Sequence, residues 1–371
     1  MNRTKYIEDD SSEETVAYYH NGVARPVRVK MLNMAPLMLD YYQGASGTYA
    51  GFDRFGRVED QRWVNWSPNP DADVARIGHG YDLAGNRIYR EDVKAAAASV
   101  DLDEFYAYDG LHRVKNLDRG ALNEGKTAIS GTPAWEEDWS LDALGNWNGY
   151  LQKTTGSTTL NQERTHNAAN ELVDTTTWYD PFHDEAGNMI IMPKPYSLTN
   201  NYFTATYDAW NRLVKLASFE EEYTDAAYEY DGLNQRIVKN THNSNNQGEL
   251  IEVRHFYYNH RWQCVEERLE GVSGGQPTGA IGANPINRYI WGTRYVDELV
   301  LRQRDTNTDG ALDETLYALQ DANFNVVALA EPDGDIVERF VYNAYGVTVH
   351  TPASLKNKGF LWSCRFSHIR A

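Results

Sequence analysis

One short phrase recurs along this chain and constrains its architecture more than anything else in it: an aromatic residue or substitute, then Asp or Asn, two variable residues, Gly or Asn, a polar residue and an aliphatic one. Ten copies begin at Asp53, Asp82, Asp109, Asp142, Asn167, Asp184, Asp208, Asp231, Asp321 and Asn343. Through most of the chain they lie about 25 residues apart, the period of a supersecondary unit and not of a domain. A carboxylate or amide followed three residues later by Gly predicts a type I turn, in which the side chain holds backbone amides and Gly accepts positive φ. Asp53/Gly56, Asp82/Gly85, Asp142/Gly145, Asp184/Gly187 and Asn343/Gly346 fit that rule. His112, Asn170, Asn211 and Asn234 take the glycine's place in other copies, and these side chains tolerate the left-handed region better than most. Phe324 is the exception.

The flanks of the turns read as strands. Residues 202–207, 251–257 and 336–342 are rich in β-branched and aromatic side chains. Helical periodicity with caps is nearly absent, and the Ala-rich residues 93–99 are too short for a stable helix on their own. The expected fold is all-β: tandem hairpins, each turn joining two strands of an extended, curved sheet. Tyr81, Tyr108, Tyr207, Tyr230 and Tyr342 stand directly before the turn residue, where each ring should stack on a neighbouring repeat. The residues expected to build the repeat turns are these tyrosines with Asp53, Gly56, Asp82, Gly85, Asn86, Asp109, Asp142, Gly145, Asp184, Gly187, Asp208, Asp231 and Gly346. Residues 1–45 carry no clear copy, 46–350 form the repeat region, and 351–371 form an atypical tail with four Lys/Arg and no Asp or Glu, which reads as the mark of a truncated chain.

Composition narrows the function. A net charge of −18 over 371 residues would repel a phosphate backbone, which argues against nucleic acid as the partner. No apolar run reaches the ~18 residues of a membrane span, and the first residues show no secretory signal. Cys264 and Cys364 cannot supply a disulfide framework.

The phrases at 81–88, 108–114, 207–213 and 230–237 resemble the YD repeat of the rearrangement hot spot (Rhs) family, whose relatives include insecticidal toxin-complex shells and teneurins. A single Asp-x-x-Gly is a generic turn; ten in tandem carry weight. The resemblance covers roughly residues 50–350 and implies a β-strip spiralling into a hollow shell around a C-terminal toxin, on a secreted or cell-surface protein. Members close the shell with further repeats and an Asp-Pro-containing cleavage segment. This sequence departs there: its sole Asp-Pro, Asp180-Pro181, lies mid-chain, so no cleavage residue carries over.

Other motifs compete for a chemical role. Gly120 to Thr127 matches a phosphate-binding loop, but Gly131 and Pro133 follow where a helix must open. Ser273, in Gly271-Val-Ser-Gly-Gly275, matches a nucleophile elbow without the helix that should follow, and residues 271–284 read as an exposed insertion. Asp305, Asn307, Asp309 and Asp313 resemble a calcium loop, yet position 12 is Leu316 where a bidentate Glu belongs, and a polar hairpin tip suits the same residues. Glu136, Glu137 and Asp138, between Trp135 and Trp139, suggest a sugar cleft, against which stands the simpler reading of a solvated charge run. Cys264 near His255 and His260 reads as a lone strand cysteine.

The reading that follows is a non-catalytic shell segment that needs no cofactor, calcium being the one candidate, and whose partner is a toxin domain absent from this chain. The alternative is a surface carbohydrate-binding or adhesion module. If Gly85 occupies a positive-φ turn position, Gly85→Val is expected to destabilise the chain by about 1–3 kcal/mol in chemical denaturation; a neutral result would remove the turn assignment.

Overall fold

The structure, a computed structural model, describes residues 6–8, 14–21, 25–32, 35–41, 51–67, 71–97, 99–194, 202–218, 223–243, 248–344, 346 and 348–349. The tail at 351–371 lies outside the described residues. Within them the chain is a meander. Thirteen antiparallel strands, β1 (Tyr6–Glu8) through β13 (Leu172–Thr175), pair in chain order. A second sheet of fourteen runs from β14 (Phe182–His183) to β27 (Ile336–Arg339), also in order. Strands β28 (Val341–Tyr342) and β29 (Thr348–Val349) form a short separate pair. Within each sheet, β22 (Gln276–Ile281) apart, strands pair with their neighbours in sequence, so the repeat in sequence becomes a repeat in space.

The sequence suggested one strip, and the structure has two sheets. The break follows β13, where the Thr175 amide turns to Asp180 Oδ1 (3.1 Å) and the Trp178 amide to Thr175 Oγ1 (3.2 Å). Pro181, next in line, has no amide to offer a ladder. Two further departures have local causes. Residues 93–97 form a helix, α1 (Val93–Ala97), whose Ala95 amide is capped by Asp92 Oδ1 at 3.0 Å. The insertion at 271–284 is a hairpin: β22 (Gln276–Ile281) pairs only with β21 (Cys264–Ser273) and is exposed throughout.

The main core forms where the two ends of the chain meet. Val16, Val29, Leu37, Leu39 and Trp63 of the first sheet pack with Leu301, Tyr317, Leu319 and Ala330 of the second. Hydrogen bonds cross the same seam: Trp63 Nε1 donates to the Gln320 carbonyl (2.9 Å) and Arg339 Nη2 to the Val74 carbonyl (2.7 Å). The strip therefore curves until its C-terminal hairpins lie over its N-terminal strands. Between these ends the apolar clusters are small, such as Leu117 with Trp139 and Tyr150, or Val238 with Leu250 and Val253. Most middle residues are half-buried, as expected of a sheet with no second layer over it.

Each repeat turn has one geometry. The amide of the fourth residue donates to the carbonyl of the first, and the amide of the first donates to the carbonyl of the fifth, as in Gly85 to Asp82 (3.2 Å) and Asp82 to Asn86 (2.9 Å). The fourth residue has positive φ, +96° at Gly85, and the register shifts by one beside Tyr81, a turn with its attached bulge. Phe324 adopts this conformation too, at φ +63°, although its side chain disfavours it by about 1–2 kcal/mol. Its ring stacks on Tyr295 at 4.8 Å, with the Arg294 guanidinium at 5.3 Å, contacts worth about 0.5–1.5 kcal/mol. The two effects oppose each other, so Phe324→Gly is expected to leave stability within about 1 kcal/mol of the parent. A loss of several kcal/mol on denaturation would mean that the stacking dominates.

Candidate functional site

No catalytic constellation emerges among the described residues; the built features are a ladder of turns and the seam. In the ladder the first-position side chain holds the amides of its own turn. Asp109 Oδ1 accepts the amides of Leu111 (2.8 Å) and Arg113 (3.0 Å), and its Oδ2 accepts Arg113 Nε (2.7 Å). The fifth residue then reaches onward. Arg57 Nη1 donates to the Asp82 carbonyl (3.3 Å), Arg113 Nη1 to that of Asp142 (2.8 Å), and Arg212 Nη1 to that of Asp231 (3.0 Å). Where the fifth residue is Asn the bridge is shorter in reach: Asn146 Nδ2 meets Asn170 Oδ1 (3.1 Å) and Asn188 Nδ2 meets Asn211 Oδ1 (3.0 Å). Asn86 Nδ2 binds Asp82 Oδ2 and lies 2.9 Å from His112 Nδ1.

The tyrosines tie the same units together from behind. Tyr81 donates its hydroxyl to the Val58 carbonyl (3.0 Å), Tyr108 to that of Arg87 (2.7 Å), Tyr207 to that of Met189 (3.1 Å), Tyr230 to that of Leu213 (2.7 Å) and Tyr342 to that of Val326 (2.7 Å). Each acceptor is the residue just past an earlier turn of the ladder, the Asp321 turn in the case of Tyr342. Asp53 and Gly56, Asp184 and Gly187, Asp208, and Gly346 with Asn343 occupy the corresponding places in their own turns.

Two further turns lie outside the ten copies, the first at a degenerate form of the phrase, Tyr257-Tyr-Asn259. Asn259 heads one in which Trp262 takes positive φ, with Tyr258 donating to the Arg236 carbonyl (3.0 Å). Glu331 heads another that ends on Gly334. The tyrosine before Asn259, and Pro332-Asp333-Gly334, were the available signals.

At the seam the buried groups are polar. Glu104 accepts Arg119 Nη2 at 2.6 Å and the Tyr106 hydroxyl, while Arg119 also donates to the Tyr342 carbonyl across the sheets. Burial alone would raise the Glu104 carboxyl, but Arg119 and Arg90 outweigh it and hold it below the usual range. Glu137 lies here too. The residues read as a solvated charge run are not one: Glu137 is fully buried, accepts the Tyr150 hydroxyl and, at 3.3 Å, the Ala344 amide. Strand alternation is the reason, since it turns Glu137 to the same face as Trp135 and Trp139 and leaves Glu136 to Lys153 (2.6 Å) and Asp138 to Asn116 (2.9 Å). Trp139, 4% exposed, has no face for a sugar ring.

The remaining motifs stay apart from both features. Residues 120–127 form a loop in which Lys126 donates its amide to the Asn123 carbonyl (2.9 Å), and no helix follows. Ser273 precedes Gly274 and Gly275, both of positive φ, in a two-residue hairpin turn. Asp305 accepts the Gly310 amide (2.8 Å), Asn307 the Asp309 amide (2.9 Å), Asp309 the Ala311 amide (2.8 Å), and Asp313 the Thr306 amide (2.9 Å). The loop's carboxylates thus hold its own amides and side chains, and among the described residues no three acidic, His or Cys side chains are grouped to hold a metal. His255 pairs with Glu270 (2.7 Å), away from the Cys264 sulfur, which faces the Glu266 carbonyl.

Two outcomes follow. Arg119→Met leaves Glu104 buried without its partner and is expected to destabilise the chain by about 3–5 kcal/mol in urea; a change below 1 kcal/mol, on that same scale, would mean that water reaches the pair. The turn carboxylates give a pH signature. Hydrogen bonds from Asn86, Asn146 and Asn188 hold Asp82, Asp142 and Asp184 below the usual 3.8. Because the folded values are depressed, the stability they contribute is complete above 3.8 and drains away as pH falls through the folded values. The melting temperature is expected to hold from neutral pH down to about 5 and to drop below about 4, less steeply in the triple Asp→Asn variant. An equally steep drop in that variant would assign the acid sensitivity elsewhere.

No family model matches the sequence, and no curated protein does. Solved structures do. A chain of the Photorhabdus luminescens Tc holotoxin pore, with a mutation in TccC3, matches over 90% of this chain at 12% identity with a TM-score of 0.65. A chain of the TcdB2-TccC3 crystal structure matches over 91% at 14% identity and 0.63, and one of TcdB2-TccC3-TEV over 92% at 13% and 0.63. This chain spans 16% of the length of each. At such identities the likeness is one of fold: this chain shares with those toxin-complex chains a nearly all-β architecture of large, open antiparallel sheets.

Proposed function

We propose that this chain is a wall segment of an Rhs-type shell, secreted or extracellular, that encloses or presents a C-terminal toxin and has no catalysis of its own. The observation that carries the proposal is the ladder itself: turn bonded to turn by side chains, which makes a strip that extends by adding copies. A strip of that kind has a use in covering area, and the matched toxin-complex chains are several times longer. The sequence-distant contacts at the seam add curvature, which a wall requires. Glu137 and Ser273, the leading catalytic candidates, occupy a buried structural contact and a hairpin turn respectively.

The test begins with the DNA on both sides of these codons, read in all frames. Further copies of the phrase are expected, with a polypeptide of different composition after them. Expressed together with the repeats, that polypeptide is expected to survive a protease that digests it when it is expressed alone. Equal digestion in both cases would contradict enclosure.

A further inference from the structure

Where the first sheet meets the C-terminal hairpins, a cleft of about 340 Å³ opens between them. It is lined by the apolar Leu117, Val327, Phe340 and Val341 and by the charged Arg87, Arg90, Glu104 and Asp321. Much of that charge is already paired. Glu104 is held by Arg119 and Tyr106; Asp321 accepts the amides of Asn323 (2.8 Å) and Asn325 (3.0 Å) and the Asn325 side chain (3.0 Å). Arg87 donates Nη2 to Asn323 Oδ1 (2.8 Å), while its Nε is buried without a partner among the described residues.

Arg90 is different. It is 8% exposed, and among the described residues its guanidinium makes no hydrogen bond. Its one ion pair, with Asp92, is at 4.0 Å, and Glu104 and Asp321 act on it only through space. Across the strand pair, His79 offers nothing: its ring is buried with neither nitrogen bonded, and burial, with Arg87 and Arg90 beside it, pushes its pKa down to about 2, so it stays neutral. A guanidinium carries five donors at every pH proteins meet, and Arg90 lines the cleft with donors that no acceptor among the described residues fills. A bare inorganic anion would satisfy the donors and leave the apolar residues unused. A cleft of this volume, lined by apolar side chains with a few polar and charged groups among them, is the usual form of a small-molecule site.

We infer that the seam cleft binds a carboxylate borne on an apolar or aromatic body, with the carboxylate on Arg90 and the body against Leu117, Phe340 and Val341. Such an acid could be a free small molecule or the C-terminal residue of a polypeptide, and the chemistry of recognition is the same. The site does not depend on the shell proposal, since it needs only the two sheets to meet.

The experiment titrates the full chain with phenylacetate and with phenylacetamide, following saturation-transfer NMR and melting temperature. Phenylacetate is expected to bind at least about tenfold more tightly than the amide, because only the acid pairs with the guanidinium. Arg90→Gln is expected to erase that preference; if the variant does not fold, the acid-against-amide comparison on the unaltered chain still decides. Equal binding of acid and amide, or no binding of either at millimolar concentration, overturns the inference. N-acetyl-Ala-Phe with a free or amidated C-terminus separates the sources: binding of the free-acid peptide at least as tightly as phenylacetate assigns the site to polypeptide ends, and binding of phenylacetate alone assigns it to small acids.

Discussion

The structure rests on a carboxylate that finds all its partners within five residues and then passes the next bond outward. Asp109 is representative: two backbone amides and one guanidinium fill it, and that same guanidinium reaches the following turn. Because the acceptor is satisfied locally, each turn forms without help from a core. Because the donor points onward, each formed turn places the next. A single-layer sheet with few apolar contacts can persist on this basis, where a hairpin alone would be marginal in water. The tyrosine hydroxyls repeat the logic on the strand side, each closing on a carbonyl just beyond the previous turn.

The seam obeys a different physics. There the strip meets itself, apolar residues from both ends form one core, and the polar groups caught between must pair or stay costly. Glu104 and Arg119 pair, Glu137 takes a hydroxyl and an amide, and Arg90 is left over. The ladder is therefore built from local bonds that each further copy can repeat, whereas the seam is built from contacts between sequence-distant residues.

How much of this the sequence revealed depends on range. The turns at Asp53, Asp82, Asp142 and Asp184 were legible because four adjacent residues determine them. Trp262 and Phe324 were not, since neither side chain favours positive φ and only tertiary contacts, such as Phe324 on Tyr295, hold such a residue there. Helix α1 was missed because five residues, even with three Ala and a Lys, are too short to nucleate a helix without the Asp92 cap. The Glu136 to Asp138 run looked solvated because charge counts ignore strand alternation, which sends Glu137 inward alone. The seam was invisible for a deeper reason: its contacts, such as Arg87 with Asn323, join residues 236 positions apart, and no local pattern encodes such a pairing.

That pairing is also where the account is most exposed. With Cys264 and Cys364 replaced by Ser, cysteines at positions 87 and 323 can be treated with a short bifunctional maleimide at low protein concentration and the products mapped by mass spectrometry. If the strip curves back so that its C-terminal hairpins cover its N-terminal strands, an intramolecular cross-link between these two positions is expected in high yield and lost in urea. If the strip runs straight, or its two sheets are unconnected, that cross-link is absent while a control pair on neighbouring strands still reacts.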